Sequence, residues 1–328
     1  MTVCASPASP TVVAMNPQNA SRTAVVACLS RAIHTRTDPL VIHADPWGDR
    51  LFSAATWHKV YQFARMGNPQ LPEVADEAVV RSAVSMGLRR GPAYPNMIVR
   101  SRYAEDALHV AAALGIRQYV LLGAGFDSYA LRMPSPEVAS VTEIDHPATQ
   151  SVKQHCIAQA GVTLPGAVRF VAADLSTQDL AAVLAPSLPD PRAPAFFSWL
   201  GVTMYLSEEA NLKTLRAVAA TAAPGSELVF EYVDQRFFDA HRALTEAESA
   251  LKQTLLALGE PWICGFDPAQ LPDVLASAGW SLLEDVADTA LVERYDPQGL
   301  NGMKPWGLGR LARVRVRVHV GVSGPGAA

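Results

Sequence analysis

The chain has 328 residues, with 27 Lys and Arg against 31 Asp and Glu for a formal net charge of −4. That balance offers no electrostatic footprint for nucleic acid, and 49% apolar against 18% charged residues excludes a disordered chain. No apolar run approaches the roughly 18–20 residues of a membrane span, and the start, MTVCASPASPTVVAMNPQNA, lacks the order of a secretory signal, so a cytoplasmic protein without membrane partners is expected.

Residues 1–19, rich in Ser, Pro, Ala and Thr, are expected to form a mobile tail. From Ser21 to about Leu51 small apolar residues recur at helical spacing, as in SRTAVVACLSRAI. Residues 52–95 mix short helical stretches with breaks at Gly67, Pro69, Pro72, Gly91, Pro92 and Pro95. Arg100 to Leu114 reads as a helix closed by Gly115.

A regular alternation then begins. Strands are predicted at QYVLLGAG (118–125), VASVTEID (138–145), AVRFVAAD (167–174), APAFFSWL (193–200) and SELVFEYV (226–233). Helices are predicted between them over 146–160, about 176–185 and 207–223. Strands spaced by helices imply a mostly parallel sheet with helices on both faces. Residues 236–258 read as one long helix or two shorter ones, and 267–280 as a helix running into a strand near 280–287. LARVRVRVHV (311–320) alternates strictly, placing Arg313, Arg315 and Arg317 on one face and Val314, Val316 and Val318 on the other. A half-exposed strand fits that period better than a basic patch for an acidic partner. The N-terminal helices and the insertion after the fifth strand are expected to form a lid over the open edge of the sheet.

In an open parallel sheet, ligands bind beyond the carboxyl ends of the strands, where the strand order reverses. The first such end is Gly123-Ala124-Gly125-Phe126-Asp127-Ser128, whose glycines let a ligand approach the backbone. Asp145 ends the second strand, where an acid accepts from both ribose hydroxyls, and Asp174 ends the third, where a carboxylate meets an adenine amino group. Each also precedes a helical segment and so fits an N-cap. A dinucleotide turn wants a third small residue in GxGxxG, but Ser128 stands there, with Asp127 opposing a pyrophosphate. S-adenosylmethionine carries no phosphate and is favoured, with an NAD-dependent oxidoreductase as the alternative.

Cys4, Cys28, Cys156 and Cys264 are too scattered for a metal knuckle or redox pair, no HExxH or GxSxG occurs, and no metal is expected. Tyr205, Glu231 and His146, near strand ends, are candidates to face a methyl acceptor, with structural or capping roles equally open for each. Trp262 and Phe266 are candidates to line an apolar acceptor pocket.

VLLGAGFDSYALRM (120–133), TEIDHPATQSVK (142–153), FVAADL (170–175) and FFSWLGVTMYLSEEAN (196–211), in that order, resemble the leucine carboxyl methyltransferase-like class I methyltransferases. The resemblance extends from SRTA (21–24) through VRSRYAEDAL (99–108) to GEPWICGFDPAQLPDVLASAGW (259–280), most of the chain. It implies a Rossmann-like seven-stranded sheet with an N-terminal helical cap, and methylation of a small-molecule hydroxyl or carboxylate oxygen. One domain is then expected over 20–320: a cap at 20–98, a cofactor core at 99–235, a lid and sixth strand at 236–305, a last strand at 306–320, and a flexible tail after it.

Carried over by the resemblance, Arg100 grips the methionyl carboxylate of S-adenosyl-L-methionine, with Arg102 as a second candidate. The methionine portion lies against Gly123, with Ala124 and Gly125 in the same turn. Asp145 holds the ribose, His146 beside it is a further cofactor-binding candidate, and Asp174 with Leu175 flanks the adenine. Where several relatives carry a glutamate after the fourth strand, this chain has Leu200, so carbonyls of Leu200 or Gly201 are the expected acceptors for the methionyl ammonium. That departure leaves a third reading, a catalytically degenerate methyltransferase fold acting as a binding protein.

Overall fold

The structure, a computed structural model, describes residues 21–133 and 135–317. The tails expected at 1–19 and 321–328, Cys4 and Val318 lie outside the described residues.

Five helices precede the first strand: α1 (Arg22–Thr37), α2 (Trp47–Leu51), α3 (Ala54–Gly67), α4 (Glu77–Arg90) and α5 (Tyr94–Ala113). Ser21 starts α1 by accepting from the Ala24 amide at 3.1 Å. The sequence places a break at Pro95, yet α5 begins at Tyr94 with that proline in its first turn. An amide there has no intrahelical partner to lose, so proline is tolerated and the helix gains a turn and a half over the predicted span.

The alternating part runs β1 (Gln118–Leu122), α6 (Tyr129–Arg132), β2 (Ser140–Asp145), α7 (Pro147–Gln159), β3 (Val168–Ala172), α8 (Leu180–Ser187), β4 (Ala195–Trp199), α9 (Glu208–Thr221) and β5 (Glu227–Val233). The last part contains α10 (Glu246–Leu258), α11 (Leu271–Ser277), β6 (Trp280–Ala287), α12 (Asp288–Tyr295) and β7 (Gly309–Val316). The stretch over 236–258 is thus a short 3-10 turn, Gln235–Phe238, followed by one helix whose start is fixed by a Thr245–Glu248 capping box.

The sheet order is β3-β2-β1-β4-β5-β7-β6. β1, β2, β3, β4 and β5 pair in parallel, and β7 runs antiparallel to both β5 and β6. The architecture is Rossmann-like, and the order reverses between β1 and β4. β1, β4 and β5 are buried along their whole length, as central parallel strands covered on both faces must be. Val120, Leu122, Phe197, Trp199 and Phe230 pack on one face beneath α8, α9 and α11. Tyr119, Leu121, Phe196 and Val229 pack on the other against α5 and α12. Each buried large side chain contributes roughly 1.5–3 kcal/mol.

β7 lies inside the sheet, and its arginines are not a free basic face. Arg313 and Arg315 both bond to the buried carboxylate of Glu227 on β5, each at 2.7 Å. The cap and insertion close over the carboxyl ends of the strands rather than along an edge. Residues 21–31, the turn after β1, and α10 all meet there.

Candidate functional site

A cavity of about 430 Å³ opens at the strand-order reversal. Its floor is the Gly123–Gly125 turn, continued from β1 by bonds from the Gly123 and Ala124 amides to the Ile144 carbonyl at 2.8 and 3.2 Å. Gly123 has φ +67°, and a Cβ there would lie 2.4 Å from the Val202 Cγ2. Only glycine satisfies both the backbone conformation and that close approach.

Asp145 stands beside this turn. One carboxylate oxygen accepts from the Gly125 amide and the other from the His146 amide, both at 2.8 Å. Burial pushes its pKa up, against these two amides, which favour the charge. A carboxylate has about four acceptor positions, so two remain for a ligand. The N-cap of α7 is His146, not Asp145: its Nδ1 accepts from the Ala148 amide at 3.3 Å. His146 lines the cavity with that nitrogen already committed.

Asp174 and Leu175 line the same cavity, as do Ala124, Leu200 and Gly201. Asp174 is not the cap of α8, a role filled by Asp179. Burial raises the Asp174 carboxyl, but the Ser176 hydroxyl and amide outweigh it and hold the pKa below its ordinary value.

Arg100 reaches the cavity and Arg102 does not. Two residues apart on α5, they point about 200° apart around the helix. Arg102 donates to Asp106 and to the Ile42 carbonyl, both at 2.8 Å, and lies over the Tyr295 ring. Arg100 lies against Gly201, where a Cβ would come within 3.0 Å of its guanidinium. Its Nη1 donates to Glu231 at 2.7 Å, and Glu231 also accepts from the Gly201 amide at 2.6 Å and from Asn96.

Part of the cavity wall is aromatic. Tyr205, Trp262 and Trp306 line it, with Trp262 centred 5.4 Å from Trp306 and 6.5 Å from Tyr205. Burial pushes the Tyr205 phenol up to about 12, so it is a neutral hydroxyl near pH 7. Phe266 is not in this wall; it is buried in the core against Tyr232. Also on the cavity wall, Glu260 accepts from the Arg22 amide at 2.7 Å, the Thr23 amide at 3.2 Å and the Thr23 hydroxyl, tying the insertion to the start of α1.

The leucine carboxyl methyltransferase family model matches residues 24–219, more than half of the chain. The chain belongs to the leucine carboxyl methyltransferase family. It is 31% identical over 262 residues to a protein of Mycobacterium sp. strain JLS, covering 79% of this chain and 82% of that one. It is 29% identical over 297 residues to YktD of Bacillus subtilis strain 168, covering 86% and 95%. Both relatives carry the provisional name S-adenosyl-L-methionine-dependent methyltransferase. A DUF574 family protein from Streptomyces avermitilis shares the fold, with a TM-score of 0.53 at 17% identity over 81% of this chain and 97% of that one.

The protein is therefore an S-adenosyl-L-methionine-dependent methyltransferase, and the oxidoreductase and non-enzymatic alternatives fall away. Among the described residues of this methyltransferase, no helix is long and apolar enough to cross a membrane, and no group of three or more His, Cys, Asp and Glu is placed to hold a metal. The cradle fits the cofactor: glycines where a Cβ would collide, a carboxylate with spare acceptor positions, and a guanidinium in one cavity.

Sequence reasoning overlooked Asn96, Val202, Glu260 and Trp306. Val202 and Glu260 fall in segments that carry the resemblance, FFSWLGVTMYLSEEAN and GEPW; Asn96 and Trp306 enter through contacts distant in sequence. Asp288, the first residue of α12, is not among the residues lining the cavity but is likewise unmarked in the sequence. It is fully buried and accepts from the Gly307 amide at 3.3 Å. Burial pushes its carboxyl up to about 6, against backbone amides that favour the charge and with repulsion from Glu231. Because the folded value exceeds the unfolded one, its stabilising contribution is complete below about pH 4 and is lost as pH rises through 6. Asp288→Asn cannot ionise, so its stability relative to wild type should climb by up to about 3 kcal/mol between pH 4 and 8. Thermal unfolding at several pH values measures this, and parallel curves for the two proteins would refute it.

Proposed function

We propose that this methyltransferase binds S-adenosyl-L-methionine with its methionine portion against the Gly123–Gly125 turn, Asp145 on the ribose, Asp174 with Leu175 at the adenine, and Arg100 on the methionyl carboxylate. The observation that carries the reading is the convergence of the Gly123 turn, Asp145 and Arg100 on one cavity from three separate segments. When bound, the cofactor supplies an electrophilic methyl group on a sulfonium. The chain's own contribution is placement of the acceptor in line with that group.

The acceptor we infer is a small molecule methylated on oxygen. A cavity of this size accommodates a small ligand rather than a macromolecular surface, and the Tyr205, Trp262 and Trp306 wall suits a flat apolar body. The candidate bases are poorly available: Tyr205 is neutral, His146 Nδ1 caps a helix, and Glu231 holds three donors. A carboxylate or acidic hydroxyl arrives ionised and needs no base, so such groups are favoured. We read the enzyme as cytoplasmic, without nucleic-acid or membrane partners, and as one domain in which 20–98 and 236–305 enclose the 99–235 core.

Calorimetric titration of wild type with S-adenosylhomocysteine, and with NAD as control, tests the cofactor placement. Micromolar binding of the first and none of the second is expected. A folded protein that binds neither would overturn the assignment of this cavity.

A further inference from the structure

The methionyl end of the cofactor is a zwitterion, so a site that reads it needs an anion near the cation. Arg100 supplies the cation. Five carboxylates line the cavity: Asp127, Asp145, Asp174, Glu231 and Glu260. Asp127 accepts from the Tyr129 amide at 2.7 Å and makes no bond to Arg100, and Glu260 is spent on the first residues of α1. Asp145 and Asp174 end the second and third strands, on the far side of the Gly123 turn from Arg100.

Glu231 is the one that stands on the guanidinium. Its Oε2 accepts from Arg100 Nη1 at 2.7 Å and from the Gly201 amide at 2.6 Å, and its Oε1 accepts from the Asn96 side chain. The residue is 1% exposed. Three donors leave one of about four acceptor positions, while Arg100 gives only one of its five N–H groups to the pair. A buried, fixed ion pair with capacity left on both members is preorganised for a ligand bearing both charges.

We propose that Glu231, projected from β5, is the carboxylate that recognises the cofactor's ammonium in this chain, doing from the neighbouring strand what Leu200, at the end of β4, cannot. The assignment rests on the cofactor placement above. Two different assignments follow from it. Glu231 is a cofactor-binding residue rather than a base facing the acceptor, and the ammonium does not depend on the carbonyls of Leu200 or Gly201.

Specificity is a difference of affinities, so the test compares two ligands that differ only at this group. Wild type and Glu231→Gln are titrated calorimetrically with S-adenosylhomocysteine and with its analogue lacking the α-amino group. Wild type should prefer the amino compound by roughly ten- to hundredfold, the range of a hydrogen bond between charged groups. Glu231→Gln should bind the amino compound weakly and the deaminated one about as wild type does, so that the preference collapses. Equal weakening of both ligands would show that Glu231 only positions Arg100, and an unchanged preference would show no role; either overturns this assignment alone. Wild type that is folded but binds neither ligand overturns the cofactor placement and this assignment with it. Should Glu231→Gln not fold, Glu231→Asp decides, since retracting the charge by one methylene should reduce the preference and a bystander's would not change it.

Discussion

Asp145→Asn is expected to weaken S-adenosylhomocysteine binding by about a hundredfold, with little change in fold. Charge-assisted hydrogen bonds to two ribose hydroxyls are each worth about 1.5–3 kcal/mol, and the amide retains only one acceptor oxygen. That oxygen must also serve the Gly125 and His146 amides, which the carboxylate satisfies with one oxygen apiece. A pH signature separates lost ligand contact from a loosened turn. Burial raises the Asp145 pKa, so wild type should begin to lose affinity on acidification at a higher pH than an ordinary carboxylate would allow. The sign follows from the ionised form being the acceptor: protonation removes charge, and affinity falls as pH falls. Asp145→Asn has no proton to gain there and should show a flatter profile. Titration calorimetry from pH 5 to 8 measures both effects; wild-type affinity in the variant would remove Asp145 from the site.

Gly123→Ala is expected to cost about 2–4 kcal/mol of folding stability and more than tenfold in cofactor affinity. Two separable causes act at one atom. A φ of +67° costs an L-residue roughly 1–2 kcal/mol, and the added Cβ would sit 2.4 Å from the Val202 Cγ2, so one of them must move. Val202 follows Leu200 and Gly201 on the cavity wall, and displacing it disturbs the cradle as well as the turn. Adding Val202→Ala should recover the part due to collision and leave the backbone part, a coupling that a double-mutant cycle reads directly. Denaturant unfolding and calorimetry on the three variants measure it. Independent, additive losses would mean that the turn, and not the contact, sets the requirement for glycine.

Much of this architecture is legible before any coordinates. The five strands from 118 to 233 are short apolar runs closed by glycine, aspartate or polar residues, and each falls within two residues of its predicted start and three of its end. The glycine turn and the acids after the second and third strands were legible for the same reason: a parallel sheet delivers its strand ends to one side, so residue types at those ends already suggest a ligand. Arg102 shows the limit. The RSR sequence by itself offers two arginines, Arg100 first and Arg102 second by the resemblance, and the packing of α5 decides that Arg100 reaches the cavity and Arg102 lies over Tyr295. Similarly, Pro95 reads as a break when position within the helix is unknown.

The sequence by itself determined the alternation of strands and helices, the mostly parallel sheet and the three strand-end segments that line the cavity, because these follow from periodicity and chain order over a few residues. Tertiary structure alone decided that Glu231 meets Arg100, that Glu260 closes on Arg22 and Thr23, and that Arg313 and Arg315 are spent on Glu227. The reason is physical: these are charge contacts between segments far apart in the chain, set by strand order and helix packing, and local pattern carries no trace of them.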